Sequence, residues 1–173
     1  MVEVVVMSGI MIVITAIFVG GFPLFNQNAF VKKEGETVAL DLRGAQNYGI
    51  LGRVAPNAGT TPRYWGFHID IANPDRYVVF ADTNGNKQYN AGTDEVIKTY
   101  LFENGVRVSS LASPLSSSES ELNFVFQVPY GDTEIRNSSA NVGSYGRIRL
   151  ISRLQSIKRD VTMRVSGQIS ISE

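Results

Sequence analysis

The chain has no cysteine and only one histidine, His68, among its 173 residues. Without cysteine it can form neither a disulfide framework nor a thiolate metal site. A single histidine also excludes most zinc sites and most histidine-based catalysis. The 16 basic residues equal the 16 acidic ones, so the net charge gives no indication of nucleic-acid binding.

Charge is also scarce near the N-terminus, where no charged residue lies between Glu3 and Lys32. The run Val4–Phe25 is almost wholly apolar, and as a helix rising about 1.5 Å per residue it would span about 30 Å, enough to cross a bilayer. A signal peptide, a membrane anchor and a buried core helix are all open interpretations. The run lacks the preceding basic residues typical of the first two. It is apolar nearly all round, which is unusual for the third.

The residue pattern divides the chain into three segments. Residues 1–25 form the hydrophobic, transmembrane half of a helix, and residues 26–54 form its second, amphipathic half. Pro23 lacks an amide donor and should kink the helix or end the membrane span. Gly35 predicts a further break near residues 33–36. Residues 55–173 then form a globular β domain.

Short alternating runs separated by turn residues predict eight strands in this domain. Residues 129–144, rich in Gly, Asn and Ser, are predicted to be loop. A helix followed by strands indicates an α+β fold: a long N-terminal hydrophobic helix and then an antiparallel β-sheet or β-sandwich. The predicted strands are 64–71, 76–81, 96–102, 106–111, 122–128, 147–153, 161–165 and 168–171.

Several stretches, in this order, resemble the type IV pilin-like H-type (GspH/FimT-like) minor pseudopilins. Met1–Val6 resembles the start of a mature pilin. The segment 45–49 (Ala-Gln-Asn-Tyr-Gly) followed by Arg53 is similar to the end of the family's helix. The strand 77–82, which enters an Asn- and Gly-rich loop, and the closing stretch 166–171 also fit.

The resemblance implies a non-enzymatic subunit of a type II secretion pseudopilus or a type IV pilus. Its implied partners are other pilins, a prepilin peptidase that removes a basic leader ending in Gly, and an inner-membrane assembly platform. It also implies N-methylation and a single-pass inner-membrane location with the β domain on the periplasmic side. Glu3 would pair with the terminal amine of a neighbouring subunit, since a carboxylate in hydrocarbon is costly unless paired. Alternatively, Glu3 only reaches to the membrane interface.

One loop has the composition of a calcium site. Its oxygen-bearing side chains, Asp82, Asn84, Asn86 and Asp94, include pairs two residues apart, as calcium ligands often are. The EF-hand pattern is not met, because the glycine and the final glutamate are misplaced. The alternative is a hairpin loop of turn-prone residues whose side chains bind their own backbone. The cofactor prediction is therefore none, or calcium.

A basic stripe on the strand near residue 150 could contact phosphates through Arg147, Arg149 and Arg153. Gly146–Arg149 also spells the Gly-Arg-x-Arg motif of DNA-uptake minor pilins, which is one alternative function, although the motif lies at a different place in the family. A solvated strand face is the simpler interpretation, and nucleic acid is not a favoured partner. A membrane-anchored β-domain enzyme or carbohydrate-binding module is the other alternative. No catalytic constellation supports an enzyme, and His68 is interpreted as structural.

Overall fold

The computed structural model describes residues 2–155 and 157–173, and for residues 18–25 it describes the backbone alone. One helix, α1, extends over Val2–Ile50. The break predicted near Gly35 is wrong, because this glycine lies against β-strand side chains with room to spare and the helix continues through it. Pro23 falls in the stretch whose side chains are not described, so the kink expected there stays a prediction.

In the part of the chain that the structure describes, nine strands follow the helix and form two antiparallel sheets. Sheet A has the strand order β3-β2-β1-β5-β6, and sheet B has the order β4-β7-β8-β9. The fold is therefore α+β, as the sequence predicts. The strands are β1 (Tyr64–Asp70), β2 (Arg76–Asp82), β3 (Glu95–Leu101), β4 (Arg107–Ala112), β5 (Glu121–Gln127), β6 (Thr133–Arg136), β7 (Tyr145–Ile151), β8 (Lys158–Arg164) and β9 (Ile169–Ser172).

Strand β6 corrects the prediction that residues 129–144 are loop. It pairs antiparallel with β5 and buries Ile135 completely. The sequence of β6 contains only this one apolar residue, so it has no alternation to recognise. Its strand conformation comes from hydrogen bonding to β5 rather than from its own pattern.

The helix and both sheets share one hydrophobic core. Val38 and Leu42 of α1 lie in the same buried cluster as Phe67 of sheet A and Ile148 of sheet B. The two sheets approach closely at Gly146, where an added Cβ would lie 2.7 Å from the ring of Phe124. The second half of α1 is thus part of the core of the β domain.

The outer face of sheet A is also covered, which explains a departure from the predicted alternation. All five residues from Trp65 to Ile69 in β1 are buried. The loop between β2 and β3 folds over the outer face, where the Tyr89 ring packs at a tilt against His68 and Phe80, with centroid distances of 4.9 and 5.3 Å. A strand buried on both faces shows no alternation of burial.

Candidate functional site

The first part of α1 extends away from the β domain. Every residue from Val2 to Ile17 is exposed, and most are large apolar side chains. Ser8 and Thr15, which are polar, donate their hydroxyl hydrogens back to the Val4 and Met11 carbonyls at 2.7 Å. Such internal bonds leave the helix surface apolar all round. No helical segment in the described residues combines the length and apolarity that crossing a membrane requires.

Glu3 lies in the first turn of α1, where its negative charge is favourable to the helix dipole, and it is exposed. It is the only acidic residue before Glu34 in the chain. Its side chain therefore faces away from the rest of this chain. The pairing proposed for it involves a second chain, so it stays a prediction.

The second part of α1 docks on the sheets through small and aromatic residues. Ala45 is fully buried, and the ring of Tyr48 lies 4.9 Å from that of Trp65. A Cβ added to Gly49 would lie 3.0 Å from Cβ of Phe126, so glycine permits the close approach of helix and strand. The Arg53 guanidinium lies 4.5 Å above the Tyr48 ring. The segment that resembles the family's helix end is thus the segment that fixes the helix to the domain.

A polar cluster at the junction of α1 with β2 and β3 was not predicted from the sequence. The Tyr77 hydroxyl donates to Asp41 Oδ2 at 2.6 Å, and Lys33 Nζ lies 2.7 Å from Glu103 Oε2. Between them Glu34 is fully buried, and neither of its oxygens has a hydrogen-bond partner among the described residues. Burial raises the pKa of Glu34, and the nearby Tyr100 hydroxyl and the Lys33 ammonium offset this only in part. One helical turn therefore carries a carboxyl group that is costly to ionise.

The loop predicted as a calcium site uses its side chains to hold its own backbone. Asp82 accepts hydrogen bonds from the amides of Gly85 and Lys87, at 2.6 and 2.7 Å. Asp94 accepts from the amides of Asn90 and Thr83, at 2.7 and 3.2 Å. Burial raises the pKa of Asp94, and the charge of Asp82 adds to this effect.

The two asparagines predicted as calcium ligands, Asn84 and Asn86, behave alike. Oδ1 of Asn84 accepts from the Asn86 amide at 3.0 Å, and Oδ1 of Asn86 accepts from the Gln88 amide at 2.9 Å. In the described residues no group of three His, Cys, Asp or Glu side chains is arranged to hold a metal ion. The arrangement matches the turn-prone alternative, and calcium binding stays a prediction.

The basic stripe on β7 is partly neutralised within sheet B. Arg149 makes a bidentate pair with Asp160, with both N–O distances at 2.7 Å, and Arg147 Nη1 lies 3.8 Å from the same carboxylate. The hydrogen bonds and charge of Asp160 raise the pKa of Arg149. Arg153 lies beyond the end of β7 and is exposed. Of the three arginines only Arg153 is without an ion pair among the described residues, and phosphate contact through this stripe stays a prediction.

His68 joins two strands of sheet A and the loop that covers them. Its Nδ1 lies 2.9 Å from Asn123 Oδ1, which also accepts from the Tyr89 amide at 3.2 Å, and its Nε2 lies 3.3 Å from Asp70 Oδ2. Burial tends to raise the pKa of Asp70, but hydrogen bonds from Asn73 and the attraction of His68 outweigh it, so that the pKa is lowered. The ring serves to link β1, β5 and the covering loop.

By architecture the chain is an α+β protein in which a long helix docks on two antiparallel sheets. No family model matches it, and no curated protein matches it. Among solved structures the chain is similar to the minor pseudopilin EpsH from the Type 2 Secretion System of Vibrio cholerae. The identity is 13%, the TM-score is 0.49, and the similarity covers 83% of this chain and 96% of that chain. At this level similarity alone decides no function, which has to be argued from the residues of this chain.

Proposed function

We propose that the protein is a structural, non-enzymatic subunit of a type II secretion pseudopilus or type IV filament. The observation that carries the proposal is the division of α1. Its first part is exposed and apolar on all sides, whereas its second part lies in the core of the β domain. A helix surface that is exposed and apolar on all sides from Val2 to Ile17 is stable only in contact with lipid or with other apolar helices.

Under this proposal the helix is held in the inner membrane as a single span, with the β domain on the periplasmic side. It is then extracted and packed against the helices of other pilins. A prepilin peptidase and an inner-membrane assembly platform would act on it before and during this step. Glu3, the sole carboxylate of the apolar segment, would pair with the terminal amine of a neighbouring subunit and so set the stagger between subunits.

Photo-crosslinking in the host tests the proposal directly. A photoreactive residue replaces Ile10, which is 55% exposed, and filaments sheared from the cells are probed for the β domain. We expect crosslinks from Ile10 to other pilins. Recovery in filaments should fall for Glu3→Gln and stay unchanged for the matched control Glu36→Gln. If the chain is absent from filaments and crosslinks to no pilin, the proposal is wrong.

A further inference from the structure

We infer that the end of the β domain next to the apolar half of α1 is a contact surface for anionic lipid headgroups. The surface, named here the basic rim, consists of Arg107, Arg153 and Lys158 around the exposed Leu154. The inference rests on the proposed function, because it needs the apolar half of α1 to lie in a membrane. The partner is a lipid surface that carries phosphodiester groups.

Three contacts place the basic rim at the level where α1 leaves the domain. Arg159, next to Lys158 on β8, reaches Asn28 of α1 with Nη2 3.4 Å from Oδ1. Lys33 of α1 pairs with Glu103, which lies in the turn between β3 and β4. That turn touches the one between β7 and β8, since a Cβ added to Gly105 would lie 3.1 Å from Cβ of Arg153.

The strand register brings the cations of the rim together. Ile151 on β7 is the partner of Arg107 on β4 and of Lys158 on β8, so these two cations stand two strand spacings apart, about 10 Å. Arg107, Arg153 and Lys158 are all exposed. None of them forms an ion pair with another described residue. Two acids at this end of sheet B are already engaged, because Asp160 pairs with Arg149 and Glu173 with Arg159.

The distances along the helix fit a membrane surface. The apolar run ends at Phe25, three residues and about 4.5 Å before Asn28. The headgroup layer on each side of a bilayer is about 5 to 7 Å thick. If Phe25 marks the edge of the hydrocarbon, the rim stands at the headgroups. Leu154, 63% exposed between the cations, would then enter the interface while the cations meet phosphates.

The absence of cysteine allows a single reporter to be placed on the rim. The full chain with Leu154→Cys carries an environment-sensitive fluorophore. It is reconstituted into vesicles of phosphatidylcholine alone or of equal parts phosphatidylcholine and phosphatidylglycerol. We expect a blue shift that requires phosphatidylglycerol and is reversed by high salt, because salt screens the attraction. A label at Ser166→Cys, in the turn at the other end of β8, should show no such shift.

Variants that remove charges test whether the basic rim causes the blue shift. Each cation near an anionic surface contributes about 1 kcal/mol, so Arg153→Gln with Lys158→Gln should lower the ratio of lipid-bound to free label about 25-fold. The matched control, Arg63→Gln with Arg164→Gln, removes two charges at the opposite end and should retain the shift. An equal fall in the ratio of lipid-bound to free label in both variants would overturn the inference.

Flotation separates failure of the inference from failure of the proposed function. If the chain floats with both kinds of vesicle but the Leu154 label never responds to phosphatidylglycerol, the lipid contact is wrong and the anchoring stands. If the chain floats with neither, the anchoring is wrong and the lipid contact is overturned with it.

Discussion

Replacing the buried Glu34 by glutamine should stabilise the protein at neutral pH and not at acid pH. Glu34 is fully buried in α1, and neither of its oxygens has a hydrogen-bond partner among the described residues. An unsatisfied buried polar group costs about 1 to 3 kcal/mol, and more when it is charged. Glutamine keeps the shape of the side chain and removes the charge.

The pH dependence follows from the direction of the pKa shift. Because the pKa of Glu34 is raised above its ordinary value of 4.5, the folded state holds the proton more tightly than the unfolded chain does. The stabilising contribution of this proton is complete below pH 4.5 and is lost as the pH rises through the raised pKa. The free-energy gain of Glu34→Gln should therefore grow from near zero at acid pH to on the order of 1 kcal/mol or more above the raised pKa, since one pKa unit corresponds to about 1.4 kcal/mol.

Trp65, the only tryptophan and fully buried against α1, provides the signal for measuring this gain. Urea unfolding of the full chain in mild detergent, followed by Trp65 fluorescence across this pH range, gives the free energy of unfolding. Glu36→Gln, at an exposed position two residues further along α1, is the control and should change little. A gain for Glu34→Gln that is independent of pH, or a loss at high pH, would refute the reasoning.

Three further substitutions test particular contacts by the same unfolding measurement. Gly66→Ala should lower the free energy of unfolding by about 1 to 3 kcal/mol, since the new Cβ would lie 2.3 Å from the Phe80 ring. An unchanged free energy of unfolding would mean that the ring can move aside. Asp160→Asn should cost about 1 to 3 kcal/mol by breaking the bidentate pair with Arg149, and an unchanged stability would show the pair to be dispensable. Asp82→Ala should cost at least as much because two amides lose their acceptor, whereas a calcium chelator should leave the melting temperature of the parent chain unchanged. A fall of the melting temperature on chelation would instead support calcium binding by this loop.

The sequence predicts the elements of this fold well wherever a segment carries its own pattern. Strands such as β2 and β5 are rich in aromatic and β-branched residues and are bounded by turn residues. Strand β6 has no such pattern, and only its pairing with β5 makes it a strand. The break that Gly35 predicts is wrong for a related reason. Its cost to an isolated helix is overcome by docking against Val161 and Ile171, a contact that local propensity does not contain.

Local sequence patterns predict the candidate sites less well than they predict the strands. The sequence identifies Arg149 as a free cation because Asp160 lies eleven residues away, yet the β7–β8 register places the two side by side. The sequence gives no sign that Glu34 is buried, since a glutamate between Lys33 and Gly35 is typical of a solvated helix turn. Its burial depends on β3, which lies far along the chain. Long-range register and burial therefore decide which charges are available, and neither can be deduced from local patterns.

The continuity of α1 from Val2 to Ile50 has a mechanical consequence. A force that pulls on the exposed half along the helix axis is transmitted into the half that lies in the core. There the contacts around Val31, Leu42 and Gly49 are spread along the axis and are loaded together in shear rather than one after another. The protein should therefore withstand axial traction far better than a force that peels the helix sideways from the sheets. A force applied to the exposed half of α1 can therefore move or hold the whole β domain.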